Sequence, residues 1–195
     1  MSFSRKSPRL TQDDVVQAAV YCLEKEGEKS LGVNRIAREL GIKPPSVYNH
    51  VKGNTELYRL VAIEGSRLLG LHFQKNVPKG KNVQEQLFDL AAAFRGFIHE
   101  HPHLYLVMTN TVLEQNDPDF APVQKITIGL FLKVLSPLNL SETEEIHFVR
   151  ALRAAIHGFC VLEVKHQFGM PYEIADSFKY LIASIVETLI KKHQT

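Results

Sequence analysis

Apolar residues recur along this chain at intervals of three and four, as on the buried face of an amphipathic helix, and no segment alternates like a β-strand. Glycine, proline and polar residues interrupt the pattern and mark the turns. The sequence therefore predicts an all-α protein of eight or nine helices. The predicted helices cover residues 11–27, 30–40, 44–50, 54–73, 82–100, 102–115, 119–136, 141–166 and 172–192.

The first of these helices carry residues that commonly lie at helix ends. Thr11 is the predicted N-cap of the first helix, Asp14 completes a capping box, and Gly27 is expected to end the helix in the left-handed conformation. Ser30 is the predicted N-cap of the second helix, and Asn54 is that of the fourth. Between Ser30 and Asn54 the pattern leaves two short helices joined by a tight turn.

These two short helices have the spacing of a helix-turn-helix motif. Ala37 is small enough for the helices to cross closely, and Gly41, four positions later, tolerates the positive φ of a tight turn. Ile42 and Val47 supply apolar side chains that close a small core beneath the turn. We therefore interpret residues 30–52 as a DNA-binding helix-turn-helix, and the alternative is a helical hairpin inside a larger bundle.

The distribution of charge favours a nucleic-acid contact at one end of the chain. The net charge is +2, yet residues 1–55 carry nine Lys and Arg against six Asp and Glu, whereas the other 140 residues carry 14 against 15. A basic head on a slightly acidic body suggests a protein that contacts DNA through one domain. We therefore place a functional boundary near residue 55, between a DNA-binding domain (1–55) and a ligand-binding and dimerisation domain (56–195).

Residues 32–52, GVNRIARELGIKPPSVYNHVK, together with the ELY that follows shortly after, resemble the DNA-binding domain of the tetracycline-repressor (TetR) family. The matching features are the A-x-x-L-G turn, the S-x-Y-x-H helix and the basic residue after it, and the resemblance covers about residues 10–62. Residues 155–178 are similar to the C-terminal domain of a branch with a W-H-G-type motif, with Ile156 in place of the tryptophan. The resemblance implies a dimeric, ligand-responsive transcription factor, usually a repressor, with double-stranded operator DNA and a small-molecule effector as partners.

The resemblance also implies roles for individual residues of the motif. Tyr48 and His50 are expected to hydrogen-bond to phosphates, and Lys52 to neutralise a phosphate beyond the helix. The other outward residues near the third helix are candidates for contacts with base edges, and the start of the second helix for a phosphate contact. The expected DNA contacts are Ser30, Arg35, Lys43, Pro45, Ser46, Tyr48, Asn49, His50 and Lys52.

The middle helices contain many aromatic and flexible apolar side chains, which are typical of the walls of a small-molecule site. An effector pocket is therefore expected there, and the alternative for each aromatic side chain is a place in the hydrophobic core. The predicted lining consists of Leu68, His72, Phe88, Phe94, Tyr105, Met108, Thr109, Phe131, Arg153 and His157.

The last two helices are the predicted dimer interface. The middle of helix 141–166 is apolar nearly all round, and helix 172–192 carries a wide apolar stripe. Both patterns require cover on two sides. The family resemblance implies that these helices pair with their symmetry mates in a four-helix bundle, and the alternative is a monomeric core.

Composition narrows the remaining function classes. With 45% hydrophobic and 23% charged residues the chain suits a globular protein; no apolar run is long enough to cross a membrane, and no secretory signal is recognisable. The two cysteines are expected to be reduced core residues of a cytoplasmic protein.

The sequence contains no recognisable catalytic motif, and we expect neither a cofactor nor a metal ion. His99, His101 and His103 are candidate metal ligands, but alternate positions across a helix end scatter their side chains. The preferred interpretation is thus a ligand-responsive regulator released from a palindromic operator. The alternatives are an enzyme that uses the three histidines, and an architectural helical module without sequence-specific DNA binding.

Overall fold

The computed structural model describes residues 9–77, 80 and 82–193, and within these residues it contains nine α-helices and no strand. The predicted all-α fold is therefore confirmed, although the sixth helix ends five residues earlier than the predicted residue 115. The helices are α1 (Gln12–Glu26), α2 (Val33–Glu39), α3 (Pro44–Tyr48), α4 (Asn54–Asn76), α5 (Val83–Glu100), α6 (Pro102–Asn110), α7 (Phe120–Leu135), α8 (Glu142–Val164) and α9 (Ile174–His193).

The helices form two compact units, and the chain passes between them three times: inside α4, between α5 and α6, and inside α7. The first unit extends to Leu68 and includes His101–Gln124, and the second comprises Leu69–Glu100 and the chain from Lys125 onward. In the first unit α6 packs against α1. The backbone N–H of Leu104 donates to the Glu24 carboxylate across that contact, at 3.1 Å. The functional boundary near residue 55 stays a prediction, since the first unit takes in α6 as well as the helix-turn-helix.

The N-cap prediction holds for α1 and fails for α2 and α4. Thr11 and Asp14 form the expected capping box. Gly27 has the predicted positive φ, 79°, but its ψ of −178° is extended and not left-handed helical. Ser30 is wrongly predicted as an N-cap, because it lies buried in a 3₁₀ turn where its hydroxyl donates to the Gly27 carbonyl at 2.8 Å. The Val33 N–H donates instead to Asn54 Oδ1 at 3.2 Å. Asn54, the predicted N-cap of α4, is the first residue of α4, and its side chain therefore caps α2.

The second unit is held together by an aromatic cluster and by a buried ion pair. Phe73 meets Phe94 and Phe131 edge-on, with ring centroids 5.6 and 5.5 Å apart. This geometry adds to the stabilisation that comes from burying the rings. Glu163 on α8, 8% exposed, accepts hydrogen bonds from both Arg95 and His99 of α5.

Neutralising Glu163 will destabilise the second unit. In Glu163→Gln the part-buried Arg95 guanidinium, which also lies 5.1 Å from the ring of Phe178 on α9, loses its charge partner. Removing one partner of a buried pair is costly, and we expect a loss of about 2 kcal/mol in the free energy of unfolding at pH 7 by urea titration. Glu173→Gln, on an exposed carboxylate, is the matched control and should change stability by less than about 0.5 kcal/mol.

The same pair makes this stabilisation dependent on pH. The hydrogen bond from Arg95 lowers the pKa of Glu163 below its ordinary value of 4.5. The contribution of the pair to the free energy of unfolding is therefore fully present above about pH 4.5, and it is lost as the pH falls through the lowered pKa of the folded protein. The gap in stability between the wild type and Glu163→Gln should therefore narrow as the pH falls below 4.5. A gap that stays constant with pH, or no gap at pH 7, would contradict this account.

Candidate nucleic-acid interface

The turn between α2 and α3 is built as the sequence predicts. Gly41 has φ 67°, and none of the residues that the structure describes lies within 4 Å of where a Cβ would stand, so it is the backbone conformation that favours glycine there. Ala37 is 1% exposed and Val47 is fully buried, while Ile42 is half-buried and its N–H donates to the Ala37 carbonyl at 3.0 Å. The short α3 is thereby fixed on α2 with one face turned outward.

The outward face of α3 carries most of the residues expected to contact DNA. Tyr48 is 56% exposed, Ser46 and His50 are half-buried, and four others are exposed. The end of the helix is attached to α1, because Gln12 Nε2 donates to the His50 carbonyl at 2.9 Å. The exposed residues beside Tyr48 are Lys43, Pro45, Asn49 and Lys52. Side chains that can bind phosphates and base edges thus lie together on one surface.

Two of the expected DNA contacts are engaged inside the first unit. Ser30 is buried, as described above. Arg35 is half-buried and donates to Glu26 at 3.0 Å through Nε and to Glu39 at 2.8 Å. These hydrogen bonds raise the pKa of Arg35 above its ordinary value, and the hydrogen bond to Glu26 has the largest effect. We therefore leave Ser30 and Arg35 out of the proposed DNA-contacting surface.

The residues predicted to line an effector pocket are divided between the two units. In the first unit Leu68, Met108 and Thr109 are half-buried and Tyr105 is buried. Met108 lies against Gly65 of α4 so closely that a Cβ on that glycine would stand 2.6 Å from the sulfur. The structure therefore places Met108 in a packed contact of the first unit and buries Tyr105 there.

In the second unit, Phe94 and Phe131 belong to the aromatic cluster around Phe73. His72 packs edge-on against Phe97, with ring centroids 5.8 Å apart. The last three of the ten predicted residues lie nearer the surface: Phe88 and His157 are half-buried and Arg153 is exposed. Burial, and secondarily Arg153, lower the pKa of His157.

Two open depressions lie on the surface of the second unit. One, of about 590 Å³, is bordered by Tyr172 and Tyr180; the other, of about 450 Å³, is bordered by Phe88. Among the described residues, Phe88 is thus the only one of the ten predicted pocket residues that borders either depression. The prediction of an effector site at the ten residues stays a prediction.

The three histidines near the start of α6 face separate partners. His99 Nε2 lies 2.8 Å from Glu163, His101 Nδ1 lies 3.6 Å from Glu24, and His103 lies beside Gly27. Among the described residues, no group of three or more His, Cys, Asp and Glu side chains is placed to hold a metal ion. Nor does any helix in the described ranges have the length and hydropathy of a membrane span.

A positive-φ turn at Gly41, a small buried residue at the helix crossing and an outward-facing α3 define a helix-turn-helix regulator of transcription. The family model described as "Tetracyclin repressor-like, C-terminal domain" matches residues 87–185. An uncharacterised HTH-type regulator of Mycobacterium tuberculosis is 30% identical over 158 residues, 80% of this chain and 71% of that protein. The regulator YobS of Bacillus subtilis is 29% identical over 187 residues, 94% and 96% of the two chains.

A solved structure has the same fold over most of the chain. The Acinetobacter baumannii TetR variant in complex with minocycline superposes with a TM-score of 0.73 at 17% identity, over 96% of this chain and 100% of that one. The chain belongs to the tetracycline-repressor family, as the sequence resemblance indicates. It is accordingly a DNA-binding regulator of transcription of the helix-turn-helix type.

Proposed function

We propose that this protein is a homodimeric repressor that binds a palindromic operator through α3 and releases it when a small molecule binds the helices of its body. The exposed α3 surface is the observation that carries the proposal. In it Tyr48, His50 and Lys52 contact phosphates and position the helix in the major groove. Its neighbours Lys43, Pro45, Ser46 and Asn49 contact base edges, where an asparagine can pair bidentately with adenine.

The outer face of α8 supports dimerisation through α8 and α9. Leu152, Ile156 and Cys160 are buried within the chain. A second side of the helix, next to the exposed Arg150 and Arg153, carries small and apolar residues that are not buried. Small residues on that side allow two helices to approach closely. The open side comprises the exposed Ala151, Ala154 and Leu162 and the half-buried Ala155 and Gly158.

On α9, the apolar stripe predicted from the sequence is largely buried within its own chain. Phe178, Ile182 and Val186 are each at most 5% exposed. The partner is therefore expected to contact mainly the other face of α9, where Tyr180 is 77% exposed and Ser184 is also exposed. A two-fold axis at α8 and α9 would present two copies of α3 to two half-sites.

The effector is proposed to be a small molecule with a mostly apolar surface, bound among the aromatic and apolar side chains of α4 to α8. Its binding must favour an orientation of α3 that fits DNA poorly, since a ligand shifts a conformational equilibrium only by binding the two states differently. Such coupling is typically about 1–3 kcal/mol, and DNA must weaken effector binding by the same factor.

The function is tested by titrating the purified dimer onto DNA from upstream of its own gene in the presence of nonspecific competitor. The proposal predicts protection of an inverted repeat by two or four subunits, with half-site centres about 34–36 Å apart or somewhat more. Weak binding that ignores sequence, by ligand-free protein and on a genomic fragment pool as well, would instead support an architectural module.

Operator binding should weaken steeply with salt. Each lysine that neutralises a phosphate releases counterions, and slopes in a plot of log K against log salt are about −0.9 per contact. One Lys52 per subunit therefore gives a slope of about −2, and further phosphate contacts steepen it. The measurement is the operator affinity, obtained by fluorescence anisotropy at salt concentrations from about 50 to about 300 mM. A slope near zero would contradict phosphate binding by this surface.

A further inference from the structure

An ion-pair cluster in the first unit joins α4 to the segment that begins α7. Arg59 of α4 donates through Nε and a terminal nitrogen to the two carboxylate oxygens of Asp117, both at 2.6 Å, and the terminal nitrogen also reaches Asp119 at 2.6 Å. Asp117 is 12% exposed, whereas Asp119 is 60% exposed. The two-pronged contact with Asp117 is therefore the stronger and better-shielded part of the cluster.

Asp117 serves a second purpose at the same time. Its Oδ1 accepts hydrogen bonds from the backbone N–H groups of Asp119 and Phe120, at 2.9 and 3.2 Å, and so caps the first turn of α7. One carboxylate thus binds a side chain of α4 and the backbone at the start of α7. The pKa of Asp117 falls from 3.8 to about 2, chiefly because of Arg59, so the carboxylate is ionised throughout the neutral range.

The segment of α4 that carries Arg59 also contacts the helix-turn-helix. Asn54 lies five residues earlier, about 7.5 Å along the helix axis, and its Oδ1 accepts the N–H of Val33, the first residue of α2. Leu57, between them in sequence, is fully buried. A continuous set of hydrogen bonds and helix backbone therefore runs from the start of α7, through Asp117, Arg59 and Asn54, to the start of α2.

We propose that Arg59 and Asp117 are positioning residues that couple α7 to the DNA-reading helices, so that α7 controls operator affinity together with α4. This inference rests on the proposed function and names a route by which its site is regulated. α7 continues unbroken from Phe120 in the first unit to Leu135 in the second. A displacement of α7 therefore pulls on Asp117 and, through the Arg59 contact, on the segment of α4 that holds α2.

Asp117→Asn is the variant that cuts this route most selectively. An asparagine oxygen can still accept the backbone N–H groups of Asp119 and Phe120 and cap α7, but the amide cannot accept both prongs of the Arg59 fork. The DNA-competent orientation of α2 and α3 is then less populated, and apparent affinity falls in proportion to that population. We expect operator affinity to fall about tenfold and exchange of the Val33 amide hydrogen, followed by NMR, to accelerate at least about fivefold.

Asp119→Asn is the matched control, because it removes one exposed contact of the same Arg59, and it should change both quantities by less than about twofold. Arg59→Lys, which keeps the charge but not the fork, should behave like Asp117→Asn and guards against loss of folding in that variant. Fold and dimer are verified by circular dichroism and sedimentation.

The two readouts separate the inference from the function on which it rests. If the wild type binds its operator but Asp117→Asn retains affinity and Val33 protection within twofold, the inference is wrong and the proposed function stands. If Asp117→Asn loses Val33 protection but the wild type selects no DNA sequence, the connection from α7 to α2 is supported and the proposed function is refuted.

Discussion

Replacing Tyr48 and Lys52 together by alanine will abolish most operator binding and leave the fold and the dimer intact. Both side chains are exposed, so their truncation removes little internal packing. On a dimer the variant loses four phosphate contacts, which at about 1 kcal/mol each amount to roughly 1,000-fold in affinity. The salt dependence should also become shallower by about 2, one unit for each lost lysine.

The matched control removes the same residue types from elsewhere on the surface. Tyr172 is 75% exposed and Lys75 is also exposed, so Tyr172→Ala with Lys75→Ala changes net charge and aromatic content equally. The control should bind the operator within about threefold of the wild type. Equal affinities for the two double variants, or wild-type affinity in Tyr48→Ala with Lys52→Ala, would refute the assigned roles of α3.

Placing arginine at Gly158 will break the dimer and, with it, tight DNA binding. No described residue of the same chain lies within 4 Å of a Cβ at Gly158, so the arginine side chain meets open space unless a second copy covers α8. In the proposed interface it would bury a charge against the partner's helices. Linking two binding modules raises affinity by about 10²–10⁴-fold, so the monomer should lose at least about 100-fold in operator affinity.

Gly129 of α7 supplies the control for this substitution. It is also a glycine inside a helix, and a Cβ there likewise has no neighbour within 4 Å in the described part of the chain. Gly129→Arg should therefore sediment as a dimer and bind the operator, whereas Gly158→Arg should sediment as a monomer of unchanged helicity. A Gly158→Arg variant that stays dimeric would place the interface elsewhere.

The parts of the fold that sequence reasoning predicted correctly depend on residues only a few positions apart. The capping box of Thr11 and Asp14 and the positive φ of Gly41 are local, and the apolar periodicity located each helix within a few residues. Contacts between distant positions carry no such signal. Asn54 caps Val33 across 21 residues.

The interface residues illustrate the same limit. For Arg35 the sequence does contain a local clue, because Glu39 lies four residues later on the same helix, but the second partner, Glu26, comes from α1. Ser30 is a good N-cap by residue type, and only tertiary packing shows that its hydroxyl faces inward. The outward face of α3 was easier to predict because one short helix next to a tight turn leaves few alternatives.

The effector site is the least predictable part of the chain. An apolar side chain at helical spacing is expected to face inward, but the pattern does not distinguish a packed core from the wall of a cavity. Phe94 and Phe131, both predicted to line a pocket, contact Phe73 in the packed aromatic cluster. The sequence pattern of Phe94 and Phe131 is the same whether these side chains pack in a core or line a ligand cavity.

Selection from genomic DNA shows whether a dimer of this chain recognises a specific palindrome through α3. Ligand-free protein is mixed with sheared genomic fragments, and the retained DNA is sequenced beside that retained by Tyr48→Ala with Lys52→Ala. We expect strong enrichment of an inverted repeat by the wild type and none by the variant. A wild-type pool with no enriched sequence, or the same enrichment by both proteins, would contradict this expectation.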